Sequence, residues 1–106
     1  MKPKVDSAVV FLQILRDEQL PLPVREYRFY PERKWRADYC WIDQFLILET
    51  EGAVWTQGRH TRGSGFVKDI EKYNMMTVLG YRLLRVATPD LCKRSTLDLL
   101  KKVLDQ

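Results

Sequence analysis

The rhythm of apolar and polar positions changes several times along the chain, and each change marks an element. In "DSAVVFLQILRDEQL", Val10, Phe11, Ile14 and Leu15 recur at the spacing that puts them on one helix face, with Asp6 or Ser7 as cap. "PLP" ends this helix. Three strand-like runs follow: the alternating, aromatic "VREYRFY", closed by Pro31; then "WRADYCWI"; then "QFLILET". Their short connections predict antiparallel neighbours. In the third run Phe45 and Ile47 fall on one face and Leu46 and Leu48 on the other, so both faces are expected to be covered. "FVKDIEKYNMMTVLG" predicts a helix with Phe66, Ile70 and Tyr73 on one stripe and Gly80 as its stop. "YRLLRVA" is a fourth strand, expected parallel to the third because a helix intervenes. Thr88 and Pro89 open a turn, and Ser95 is expected to cap a last amphipathic helix, "TLDLLKKVLDQ". The expected class is α/β in the order αβββαβα, a mixed four-stranded sheet flanked by helices on both faces.

One feature of the strands conflicts with their apolar character. In "LILETEG" the side chains of Glu49 and Glu51 point to the same face of a strand built for burial. Two adjacent carboxylates repel unless a cation, a proton or a basic group sits between them. Asp38 lies mid-strand in "WRADYCWI", on the face of Cys40 and opposite that of Tyr39 and Trp41. If the second and third strands pair, it reaches the same acidic face. Three oxygen donors beside a loop suit Mg²⁺ or Mn²⁺, which keep several waters and also bind phosphate. The plainer alternative satisfies the glutamates with Arg36 or Arg85.

Composition narrows the field. At 106 residues, 45% hydrophobic and 30% charged, the sequence fits a single globular domain over residues 1–106. No run approaches a membrane span and "MKPKVDSAVV" lacks the apolar region of a signal peptide, so a cytoplasmic location is expected. Cys40 and Cys92 show no CxxC spacing and are read as small buried hydrophobes. With one histidine, His60, a His/Cys zinc site is excluded as an expectation. The net charge is a mild +4, but its placement is uneven. From Gly52 to Lys68 there is no acid, while Arg59, Arg62 and Lys68 are basic; Arg33, Lys34 and Arg36 form a second cluster. Two basic clusters flanking a carboxylate group point to a polyanion. The first of them includes "EGAVWTQGRHTRGSG", a loop long enough to suggest function.

Helix, three strands, helix, strand, with Asp38 on the second strand and Glu49-Thr50-Glu51 on the third, resembles the PD-(D/E)XK nuclease superfamily. More narrowly, "KWRADYCW…LILETEG…GRHTRGSGF…DIEKYN…LGYRLLRV" resembles small endonuclease-like proteins of phages and prophages, and is distantly similar to very-short-patch-repair endonucleases. The resemblance spans about residues 25 to 86 and implies a restriction-endonuclease-like core and Mg²⁺-dependent cleavage of DNA. It implies Asp38, Glu49 and Glu51 as metal ligands and catalytic acids. The motif ends in lysine where this chain has Glu51. Lys72 in "DIEKYN" is the natural replacement, sharing a helix face with Asp69.

Phosphodiester hydrolysis needs an activated water and stabilisation of the phosphorane and leaving oxygen, both of which metal ions supply. Lys72 would stabilise charge; Arg59, His60, Arg62, Lys68 and Arg36 would contact DNA phosphates. His60 is also a candidate acid or base, and Trp55 a candidate to stack on a base. Glu18 and Glu26 are weaker candidates for an additional ligand. Trp35, Trp41 and Tyr39 are read as core or interface. The main alternative is a nuclease-like fold that binds DNA, or serves as an assembly module, without cutting. A protein–protein adaptor using Tyr27, Phe29 and Tyr30 on an edge strand is a third reading. Cutting both strands of a duplex calls for two sites, which makes a homodimer an expectation to test.

Overall fold

The computed structural model describes residues 6–52 and 64–105, with side chains for 6–52 and 69–105. Arg59, His60, Arg62, Trp55 and the side chain of Lys68 lie outside the described residues. The elements run α1 (Ser7–Asp17), β1 (Val24–Tyr27), β2 (Ala37–Trp41), β3 (Leu46–Glu51), α2 (Ser64–Val78), β4 (Arg82–Ala87), a 3₁₀ turn (Thr88–Asp90) and α3 (Arg94–Leu104). The fold is α/β, with the strands forming one mixed sheet in the order β1-β2-β3-β4. β1 to β3 are antiparallel neighbours, and β4 pairs parallel to β3. No described helix is long and apolar enough to cross a membrane.

Two apolar clusters cover the two sheet faces. Even positions of β3, Leu46 and Leu48, join Tyr39 and Trp41 against Phe11 and Leu15 of α1 and Leu97 and Leu100 of α3. On the other face Ile47 and Cys40 pack against Met76 of α2, Phe29 and Ala37. This double burial explains why β3 is apolar at both parities. Trp41 satisfies its indole by donating to the Pro21 carbonyl at 2.8 Å.

Some local expectations hold and others are corrected. Asp6 is the α1 cap, accepting from the Ala8 N–H at 3.0 Å. Val10, assigned to the apolar face, is exposed. Phe45 belongs to the turn before β3, with φ +50° and an exposed ring, so it shares no strand face with Ile47. On α2 the inward stripe passes through Met76, which is fully buried, while Ile70 is exposed. Gly80 does end that helix, at φ +89°, a conformation that side chains with a Cβ rarely adopt. Ser95 does not cap α3: Lys93 occupies the cap position with no side-chain bond, and Ser95 lies inside the first turn. Phe29 is buried against Trp35 and Tyr81, not displayed on an edge strand, and Tyr27 and Tyr30 are half-buried beside it, which takes Phe29 out of the surface the adaptor reading used.

Candidate active site

The site grows out of the point where β2 and β3 stop pairing through their backbones. Their register runs Trp41↔Leu46, Cys40↔Ile47, Tyr39↔Leu48. One residue further, two carboxylates make the cross-strand bonds instead. Glu49 Oε2 accepts from the Asp38 backbone N–H at 2.7 Å. Asp38 Oδ2 accepts in return from the Thr50 N–H at 2.8 Å and the Thr50 hydroxyl at 3.0 Å. Each acid thus locks the other's strand. Charge-assisted bonds of this kind are stronger than the amide–carbonyl bonds they follow.

Glu49 is buried, with 3% of its surface exposed. Helix α2 supplies its counter-ion: the Lys72 ammonium lies 2.5 Å from Oε1. Burial pushes the Glu49 carboxyl above its usual value, opposed by the Lys72 and Asp38 N–H bonds that favour the ionised form. Glu51 has its own partners. Its Oε1 accepts from the Tyr73 hydroxyl at 2.8 Å and from Arg85 Nε at 2.8 Å, and the Arg85 guanidinium lies over the Tyr73 ring, 4.8 Å from its centroid. Burial, then the bond to Glu51, holds the Tyr73 phenol well above its ordinary range. Arg85 is held in the charged form chiefly by Glu51. No buried side-chain polar atom among the described residues lacks a partner.

The two glutamates therefore coexist because each faces a different cation. For Glu51 the plainer expectation names the right residue, Arg85. Lys72 sits at Glu49 and not at Asp69. Asp38 has no ion-pair partner among the described residues. Its carboxylate reaches Thr50, and beside it opens a cleft of about 190 Å³ lined by Asp6, Arg25, Glu26 and Thr88. Glu26 lies between the paired residues Arg25 and Tyr27, at φ +53°, a strained backbone for a residue with a Cβ. Glu18 is distant from this cluster in the fold: it pairs with Lys101 of α3 at 2.6 Å.

The expected set of three metal-binding carboxylates is not assembled. No three His, Cys, Asp or Glu side chains among the described residues are close enough to share an ion. Both Glu49 oxygens are engaged, by the Asp38 N–H and by Lys72, while Asp38 Oδ2 is held by Thr50. The cysteines supply no alternative chemistry. Burial raises the Cys40 thiol to about 11, so it stays protonated at neutral pH.

Sequence reasoning did not anticipate Tyr73 and Thr50 as partners of the acids. Its apolar ring places Tyr73 on the inward stripe of α2, and nothing in the local sequence marks its hydroxyl as a partner for Glu51. On the basic turn, Arg33 stacks over Trp35 at 4.0 Å and pairs with Glu71, while Lys34 and Arg36 are exposed. The chain matches no family model, no curated protein and no solved structure.

Proposed function

We infer that this protein is a metal-dependent DNA endonuclease with a restriction-endonuclease-like core, in which Asp38, Glu49 and Lys72 form the reacting centre. The observation that carries the reading is the Lys72–Glu49–Asp38 chain: a buried carboxylate in an interior strand, accepting from the backbone N–H of Asp38 across the sheet and from an ammonium of the following helix. Asp38 and Glu49 would hold Mg²⁺ or Mn²⁺. The bound ion would supply water activation and charge neutralisation at a phosphate. Lys72, confined by its bond to Glu49, is positioned to stabilise negative charge developing beside the acids. The basic residues Lys34 and Arg36, with Arg59, Arg62 and Lys68, supply the counter-charges a polyanion requires. A phage or prophage setting follows from the sequence resemblance alone.

One observation favours the non-cutting alternative: both Glu49 oxygens are already hydrogen-bonded, to Lys72 and to the Asp38 N–H. The two readings separate in one assay. Supercoiled plasmid and branched DNA are incubated with Mg²⁺, Mn²⁺ or chelator, using the wild type and Asp38→Asn. Metal-dependent nicking lost in the variant supports the nuclease. DNA retention in a gel shift with no cleavage in either metal rejects it in favour of a binding module.

A further inference from the structure

At the motif position where the resembling nucleases carry lysine, this chain carries an acid, and the acid holds a cation from the next strand. We propose that Arg85 is a phosphate-binding residue of the site, set in its working orientation by Glu51 and Tyr73; the proposal rests on the nuclease reading above. Glu51 engages the guanidinium through Nε alone. Its two Nη groups have no hydrogen-bond partner among the described residues, and the side chain is 52% exposed. Arginine and carboxylate frequently meet through two parallel bonds; here one bond is made, and it leaves both Nη groups out of the pair. Here the single bond and the Tyr73 ring fix the plane of the group and leave the outer fork available. That fork matches the oxygens of a phosphate.

Position supports the same role. β3 and β4 run in parallel register with Glu49 opposite Arg85, and Glu49 in turn bonds to Asp38 on β2. The three residues form a row across three strands. At the backbone Arg85 thus lies two strand spacings, roughly 10 Å, from Asp38, where it could meet a different phosphate from one held at the acids. Glu51 and Tyr73 are positioning residues in this arrangement, and Glu51 is not a metal ligand.

The test uses a fluorescein-labelled duplex, with anisotropy titrations in Ca²⁺ over a salt series and steady-state cleavage in Mg²⁺. Arg85→Met should raise KM and Kd about tenfold with a smaller effect on kcat. It should also make the dependence of log Kd on log salt shallower by about one. Arg85→Lys should keep the salt slope and recover only part of the affinity, because it restores charge without the fork. Glu51→Gln should weaken binding severalfold, add nothing to Arg85→Met in the double variant, and leave calorimetric Mn²⁺ affinity at the wild-type value. Wild-type KM and slope in both Arg85 variants of an enzyme that cuts would overturn the proposal. So would a Glu51→Gln protein that loses Mn²⁺ as fully as Asp38→Asn, since Glu51 would then be a ligand. A wild type that neither binds nor cuts DNA would instead defeat the nuclease reading, and this proposal with it.

Discussion

Lys72 and Glu49 meet across the contact between α2 and β3, ammonium to carboxylate at 2.5 Å, with 16% and 4% of their side chains exposed. Neither partner has water enough to replace the other. Removing one member of a buried pair leaves an uncompensated charge, which costs more than the pair contributed. Lys72→Met should therefore lower unfolding free energy by roughly 3 kcal/mol in urea titrations, and adding Glu49→Gln should recover most of that loss. On the nuclease reading Lys72→Met also slows single-turnover cleavage about 10²-fold or more, as expected for a lost electrostatic stabiliser. Cleavage at the wild-type rate by the folded variant would place the basic function elsewhere, at His60 or Lys68.

The titration of Glu49 has a sign opposite to that of most carboxylates. Its folded value lies above the ordinary 4.5 because burial outweighs Lys72 and the Asp38 N–H. Between the ordinary and the folded value the native state binds more protons than the unfolded chain. The stabilising contribution is thus complete below about 4.5 and is lost as pH rises through the folded value. Glu49→Gln should remove this term, so that the variant gains stability relative to wild type as pH rises through that window. Equilibrium unfolding at a series of pH values measures it. A constant difference across the window would show that Glu49 titrates normally.

How the sequence announced these features differs by scale. The unbroken apolar and aromatic runs at 39–41 and 46–48 were enough for β2 and β3, because strands covered on both faces are apolar at both parities. The Glu49/Glu51 spacing announced an anomaly but not its resolution. That required knowing that α2 returns over the same face with Lys72 and Tyr73, and that β4 puts Arg85 in register with Glu49. These are contacts between residues more than twenty positions apart, which no local pattern encodes. Phe45 and Ile70 misled for the opposite reason: large apolar residues do stand exposed on folded proteins, so periodicity assigned them a core they do not reach.

Met76 links the core to the site. It is fully buried against the sheet and lies on the same helix as Lys72 and Tyr73. Met76→Ala removes a large buried side chain and should cost about 2–5 kcal/mol, read from the urea midpoint. On the nuclease reading, cleavage should fall by more than the folded fraction explains, because the cavity loosens the seat of α2. Activity proportional to the folded fraction would mean that α2 keeps its position without this anchor.

The two basic clusters should act through charge and not through base readout. Arg36→Ala, and separately the Arg59→Ala/Arg62→Ala double variant, are expected to weaken DNA binding alike on unrelated sequences. Each lost phosphate contact makes log K less steep against log salt by about one. Fluorescence anisotropy in a salt series measures this. An unaltered slope in the double variant would exclude those arginines from the DNA-contacting surface.

The nuclease reading gives Asp38 two separable tasks, and a pair of substitutions divides them. Through Oδ2 it accepts from the Thr50 N–H and hydroxyl, completing the join between β2 and β3. On the nuclease reading its carboxylate, which has no ion-pair partner among the described residues, would also draw a divalent ion. Asn at this position keeps an acceptor oxygen for Thr50 but loses the charge. Ala loses both, stranding a half-buried backbone N–H, at a cost of about 1–3 kcal/mol. Asp38→Asn should therefore unfold at a urea concentration near that of the wild type, yet bind Mn²⁺ at least tenfold more weakly by calorimetry and cut DNA at a rate indistinguishable from background. Asp38→Ala should show the same chemical defect together with the drop in stability. If Asp38→Asn retains Mn²⁺ affinity while Asp38→Ala is destabilised, Asp38 is a structural acid and the metal reading of this site fails.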